Sequence, residues 1–168
     1  MKTLVIMPTY NESENIKASV DALLKVDLDT DLLIVDDNSP DGTGAIADAI
    51  ANQSRSSSRN IYVLHREQKA GLGSAYLAGF AWAFKNDYEA IVEMDADGSH
   101  RAKDLPAILQ ALNGADLVIG SRWVDGGAVQ NWPWYRKLIS RSGNFYARFM
   151  LRTNVKDMTA GYRAYNVA

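Results

Sequence analysis

Apolar residues fall in short blocks along this chain, and two periods alternate. Thr3–Met7, Leu32–Val35, Ile61–Leu64, Ala90–Met94 and Asp116–Ile119 are compact apolar runs, the mark of strands buried on both faces. Between them the period lengthens. Glu12–Val26 puts Ile16, Val20, Leu23 and Leu24 on one helical face, with Ser13 near its start. Gly44–Gln53 is rich in Ala and Ile, Gly71–Phe84 aligns Leu72, Tyr76, Phe80 and Phe84, and Leu105–Leu112 is a fourth helix. Strands alternating with helices predict right-handed crossovers and an α/β fold, a mostly parallel sheet with helices on both faces. Ser54–Ser58 is low in complexity and reads as a surface loop. No repeat or linker divides the chain, so a single domain over residues 1–168 is expected.

The stretch from Trp132 to Lys156 has a different character. At about 100° per residue, Lys137, Arg141, Arg148 and Arg152 share a narrow stripe, and Trp134, Leu138, Phe145 and Phe149 form the stripe beside it. No acid interrupts from Gly126 to Lys156. Two readings stay open: a helix lying on an anionic membrane surface, or an amphipathic helix packed on the core with a solvated basic side. Gly143 argues against a single unbroken rod.

Composition narrows the classes. A chain of 168 residues can bury a core, and 47% hydrophobic with 23% charged residues is a globular balance. A net charge of −2 exerts no global pull on nucleic acid, so no nucleic-acid partner is expected and any anionic ligand must meet a local patch. The absence of Cys excludes disulfides and thiolate metal sites and fits a reducing compartment. No apolar run approaches the roughly 18 residues of a membrane span, and Leu4–Met7 before Pro8 is too short for a signal-peptide core.

The chemistry gathers where strands stop. Ile91–Met94 runs into Asp95-Ala96-Asp97, two carboxylates on alternate positions at an open strand end. Hard oxygen ligands so placed suit Mg²⁺ or Mn²⁺, which complete their shells with water and a diphosphate. Leu32–Val35 likewise runs into Asp36-Asp37-Asn38-Ser39-Pro40-Asp41-Gly42. In an open α/β sheet, ligands sit outside the carboxyl ends of the strands, so one of these acids is placed to bond a base or ribose. Asp41 reads more simply as a turn or helix cap. Gly71-Leu72-Gly73-Ser74 opens a helix behind Arg66 and Lys69, a place for phosphate or for close helix–sheet packing. Gly120-Ser121-Arg122-Trp123 adds an arginine after the fifth strand. Neither His65 nor His100 has a second histidine at metal-ligand spacing, and neither is expected to be catalytic.

Taken together, Val5–Glu12, Val35–Thr43, Gly71–Gly73, Asp95–Asp97 and Gly120–Trp123, in that order, resemble the GT-A glycosyltransferases of family 2. Within these, Asn131–Ser140 and Thr159–Arg163 are similar to the later blocks of the dolichol-phosphate (polyprenol-phosphate) mannose synthases. The resemblance implies a Rossmann-like GT-A fold in which Pro8, Tyr10, Glu12, Val35 and Asp37 line the nucleotide pocket. It implies that Asp95 and Asp97 hold the metal and the GDP diphosphate, with Ala96 against the nucleotide. Arg122, Arg136 and Ser140 would receive a lipid phosphate, Arg122 also facing the nucleotide sugar. Asp97 and Arg122 would then be the catalytic pair. Ser99 stands where some relatives have a Gln metal ligand, so water is expected there. Relatives of this kind continue into a further basic segment, so this chain is expected to lack a C-terminal piece.

The implied reaction is transfer of mannose from GDP-mannose to a polyprenyl (dolichyl) phosphate with inversion, at the cytoplasmic face of a membrane. A lipid monophosphate has a second pKa of about 6, so it is a ready nucleophile and needs no side-chain base. A UDP-sugar-dependent polyprenyl-phosphate transferase, and a nucleotide-sugar-binding module without catalysis, remain open alternatives.

Overall fold

The computed structural model describes residues 1–54, 59–122, 133–153, 155 and 157–167; the side chains of residues 136, 137 and 141 lie outside that description. Among the described residues the elements follow in the order β1 (Thr3–Thr9), α1 (Ile16–Leu24), β2 (Thr30–Asp36), α2 (Thr43–Gln53), β3 (Ile61–His65), α3 (Leu72–Lys85), β4 (Ala90–Glu93), a 3₁₀ turn (Ala102–Asp104), α4 (Leu105–Leu112), β5 (Leu117–Ile119), α5 (Trp134–Leu151) and β6 (Arg163–Asn166). Most of the expected loop at Ser54–Ser58 lies outside the described residues.

Strand β1 is buried along its whole length because the sheet is covered on both faces. Its alternate side chains supply two cores. Val5 and Met7 pack with Ile16, Val20 and Leu23 of α1, Ala47 of α2 and Leu105, Ile108 and Leu112 of α4. Leu4 and Ile6 pack on the other face with Ala75, Tyr76 and Ala83 of α3. Gly79 allows α3 this close approach, since a Cβ there would lie 2.7 Å from Ile6. Gly73 has open space around it, so the packing reading of the small residues in α3 holds at Gly79 and not at Gly73.

The sheet order is β3-β2-β1-β4-β6-β5. β1, β2, β3 and β4 pair in parallel, as the alternation of periods predicts. The chain moves from β1 outward to β3 and then crosses back to the other side of β1, which creates a switch point between β1 and β4. β6 is the unexpected element. It enters between β4 and β5, antiparallel to both, and its register sets Arg163 opposite Glu93. A four-residue strand with a charged pair in the ladder has no apolar run to announce it. Glu93 is buried, and that burial raises its carboxyl above the ordinary range while Arg163 opposes the rise.

Helices α1 and α5 depart most from expectation. α1 starts at Ile16 rather than Glu12, because Asn11, at φ 59°, turns the chain and its neighbours are tied elsewhere. The amides of Asn11, Glu12 and Ser13 donate to Ser39 Oγ, Thr43 Oγ1 and Asp41 Oδ2. α5 runs without a break through Gly143 and ends at Leu151, capped by Arg152 in the left-handed region. Its apolar stripe does not pack on the described core: Trp134 is 76%, Phe145 74% and Phe149 73% exposed. Among the described residues of α5, Asn144 alone is buried.

Candidate active site

A cavity of about 350 Å³ opens at the carboxyl ends of β1, β2 and β4, beside the switch point. Its walls include Pro8 at the end of β1, Tyr10 and Glu12 after it, Asp37 after β2, and Asp95, Ala96 and Asp97 after β4. Lys69, Gly71, Leu72 and Ala75 close it from the start of α3. The Lys69 ammonium sits over the Tyr10 ring, 3.7 Å from its centroid, so one cation is held at this wall by an aromatic face. Val35 does not line the cavity; it is fully buried beneath α3 in the second core.

The three acids after β2 have separate tasks. Strand alternation sends Asp36 and Asp37 to opposite faces of the sheet. Asp36 is buried and accepts hydrogen bonds from Thr9 Oγ1, Ser39 Oγ and the Ser39 amide, which fixes the turn. Asp37 faces the cavity, paired with Arg66 and accepting the Ala70 amide at 3.2 Å. The arginine beside it explains how two adjacent acids are tolerated. Asp41 is the turn residue expected of it: the hydroxyl and amide of Thr43 and the Ser13 amide all donate to it, and these bonds hold its carboxyl far below the ordinary range.

After β4 the chain turns through Gly98, at φ 75°. The Tyr76 hydroxyl, on α3, donates to Asp95 Oδ1 at 2.8 Å, and burial together with Asp95 pushes that phenol well above its ordinary pKa. Asp97 is exposed and accepts the Ser99 amide at 2.9 Å. No group of three or more His, Cys, Asp or Glu among the described residues forms a closed metal cage. A pair of carboxylates on a cavity suits instead a hard divalent ion that takes its remaining oxygens from water and phosphate, so the residues present fit Mg²⁺ or Mn²⁺. His100 lies behind Asp95 and outside the cavity wall; its burial lowers the imidazole pKa against the opposing pull of Asp95 and Asp97, with Arg122 lowering it further. His65 is far along β3, 3.0 Å from Asp48.

A second polar cluster gathers where β5 ends. Arg122 donates through Nε and Nη2 to both oxygens of Asp157, each at 2.8 Å, and through Nη2 to Thr159 Oγ1. Arg122 is therefore not part of the cavity wall, and its charge is already partly balanced. Burial raises the Asp157 carboxyl, but the bonds and charge of Arg122 outweigh it and the net shift is downward. Asn144 of α5 accepts the Met158 amide at 2.7 Å and donates to the Ser140 carbonyl. The Ser140 hydroxyl is buried with no hydrogen-bond partner among the described residues. Arg136 lies on the same helix, its side chain outside the description. The structure thus gathers Pro8, Tyr10, Glu12, Asp37, Asp95, Ala96 and Asp97 around one space, and places Arg122 and Ser140 in a neighbouring cluster. Tyr76, Asn144 and Asp157 escaped the sequence reading, because their partners are distant in the chain.

The chain belongs to glycosyl transferase family 2, whose model matches residues 4–168. Among its relatives, the polyprenol monophosphomannose synthase of Mycolicibacterium smegmatis is 52% identical over 167 residues, 98% of this chain and 61% of the relative. The undecaprenyl-phosphate mannosyltransferase of Micrococcus luteus is 52% identical over 165 residues, 98% of this chain and 66% of that protein. This chain therefore spans less than two thirds of either relative's length. Among solved structures, the mannosyltransferase PcManGT of Pyrobaculum calidifontis, in complex with GDP-Man and Mn²⁺, superposes with a TM-score of 0.68. It is 19% identical, covering 98% of this chain and 44% of its own, and this likeness bears out the GT-A architecture.

Proposed function

We propose that this domain carries the donor site of a polyprenyl-phosphate mannosyltransferase, taking mannose from GDP-mannose with inversion. The observation that carries the reading is the convergence of Tyr10, Asp37, Asp95 and Asp97 on one cavity at the sheet's switch point. Two relatives at 52% identity, named for mannose transfer to polyprenyl or undecaprenyl phosphate, support the choice of sugar and acceptor.

In this reading Tyr10, Glu12 and Asp37 receive the nucleoside, and Asp95 and Asp97 hold Mg²⁺ or Mn²⁺ against the diphosphate. Bound there, the ion offsets the negative charge of the departing diphosphate. Lys69, at the cavity wall, adds a second positive charge beside it. A lipid phosphate oxygen forms the new bond to the anomeric carbon as the bond from that carbon to the GDP oxygen breaks. The phosphate is dianionic near neutral pH, since its second pKa is about 6, so no proton has to move. Arg122, Arg136 and Ser140 align the acceptor.

Helix α5 supports the lipid side of the reading. Its aromatic stripe is exposed, and Arg148 and Arg152 are exposed beside it, the charge and shape that an anionic bilayer surface would receive. No helix among the described residues is long and apolar enough to cross a membrane. The test is transfer of label to polyprenyl phosphate in Mn²⁺, from radiolabelled GDP-mannose in one assay and from a radiolabelled UDP-sugar in another. Lipid-linked label from GDP-mannose supports the reading. Label only from the UDP-sugar, or none while the nucleotide binds, overturns it in favour of a different transferase or a binding module.

A further inference from the structure

His100 has no part in the chemistry above, yet three parts of the fold converge on it. β4 ends at Glu93, and Met94 makes the last ladder-like bond, from its amide to the Ile6 carbonyl. The next amide, that of Asp95, donates instead to His100 Nδ1 at 2.9 Å. Because Nδ1 accepts, the neutral ring carries its proton on Nε2, which faces Asp95 Oδ2 at 3.7 Å. The ring lies flat on Tyr162, with centroids 4.9 Å apart and planes 10° from parallel.

Gly161 makes room for this arrangement. A Cβ there would sit 3.2 Å from the His100 ring and 3.4 Å from Asp95 Oδ2. Tyr162 contributes its ring to this stack, while its hydroxyl is buried without a partner among the described residues. Both residues lead into β6, so the antiparallel insertion between β4 and β5 is what brings the stack to Asp95. From the opposite side Tyr76 holds Asp95 Oδ1. The backbone and the carboxylate of Asp95 are therefore fixed by different partners, and the imidazole fixes the backbone.

We propose that His100 is a positioning residue for Asp95, its Nδ1 fixing the Asp95 amide and its ring braced by Tyr162, so that the carboxylate is preformed for a divalent cation. The inference rests on the reading of Asp95 and Asp97 as the cation site. Groups that orient metal ligands without touching the metal commonly control affinity by about 10–100-fold. A ring needed only to fill space would be replaceable by another ring.

The experiment is calorimetric titration of GDP into the wild-type chain and into His100→Phe, His100→Asn and Asp97→Ala, each with Mn²⁺ and with EDTA, and each with a thermal melt. His100→Phe keeps a ring against Tyr162 and loses the acceptor, whereas His100→Asn restores an acceptor near the Nδ1 position. The expected result is unchanged GDP affinity in EDTA for all His100 variants. The gain that Mn²⁺ gives should fall at least about tenfold in His100→Phe and return to within about threefold in His100→Asn. A wild-type Mn²⁺ gain in His100→Phe, with that gain lost in Asp97→Ala, overturns the role of His100 and leaves the cation site standing. A loss in His100→Phe that His100→Asn does not restore assigns the ring to packing and also overturns it. No Mn²⁺ gain in the wild type overturns the cation site itself.

Discussion

Around the cavity at the ends of β1, β2 and β4, the polar side chains already have partners: Asp37 has Arg66, Asp95 has Tyr76, and Lys69 has the Tyr10 ring. Along α5 the balance is reversed, with large apolar side chains turned outward and Asn144 alone buried among the described residues. The first region is organised for a small, highly charged ligand, where fixed dipoles and charges work without reorganisation. The second offers exposed apolar area and charge along one helix, which on the proposed reading faces a soft and extended partner. The two regions meet through the Arg122–Asp157–Asn144 cluster and through β6, so the segment that returns from α5 also braces the sheet end.

The largest effect that would break this contrast belongs to Asp97. Asp97→Ala should abolish Mn²⁺-dependent GDP-mannose binding while the fold persists, because Asp97 is exposed and, among the described residues, accepts only the amide of Ser99 within its own turn. Equilibrium dialysis with and without metal checks it, and an affinity retained within a few fold would remove Asp97 from the site.

Asp37→Ala comes next. It leaves Arg66, part-buried, with Ser74 Oγ but without its carboxylate, so stability should fall by on the order of 2 kcal/mol, read by urea denaturation. Binding of GDP without metal should weaken by about 1–3 kcal/mol as well. A change confined to the metal-dependent part would exchange the roles of the two acidic clusters.

On the other region, Arg148→Glu with Arg152→Glu should weaken binding to vesicles containing anionic lipid by about 1 kcal/mol per residue. GDP affinity should stay unchanged. Vesicle binding that survives the reversals and ignores salt would return α5 to an ordinary protein contact.

The smallest effect concerns the anchor between the regions. Arg122 holds the folded Asp157 carboxyl below its ordinary value of about 3.9. As pH falls, the unfolded chain takes up the proton first. The contribution of this pair is complete above about pH 4 and is lost as pH drops through the folded pKa. Asp157→Asn should therefore flatten the acid limb of the melting-temperature profile, and an unchanged limb would deny the pairing an energetic role.

Much of this was legible because the strands are buried on both faces and so read as continuous apolar runs ending in chemistry. Asp95, Asp97 and the Asp36–Asp37 pair could be placed at strand ends for that reason alone, whereas Tyr10 came only with the family resemblance. Which of Asp36 and Asp37 fixes the turn could not be read, since adjacent acids look alike until strand alternation sends them to opposite faces. β6 was hidden because Arg163 pairs with Glu93 where an apolar residue would have signalled a strand. The stack of His100 on Tyr162 and the grip of Asp157 on Arg122 follow from that insertion, and no local pattern encodes them. The exposure of the α5 stripe is likewise a tertiary fact, because the same wheel describes a packed helix.

The most direct measurement is the equilibrium affinity of the chain for GDP-mannose in Mn²⁺, beside GDP-mannose in EDTA and a UDP-sugar in Mn²⁺. A metal-dependent donor site built on Asp95 and Asp97 predicts that EDTA weakens GDP-mannose binding by about tenfold or more and that the UDP-sugar binds more weakly than GDP-mannose. Equal affinity with and without metal, or a preference for the UDP-sugar, would contradict it.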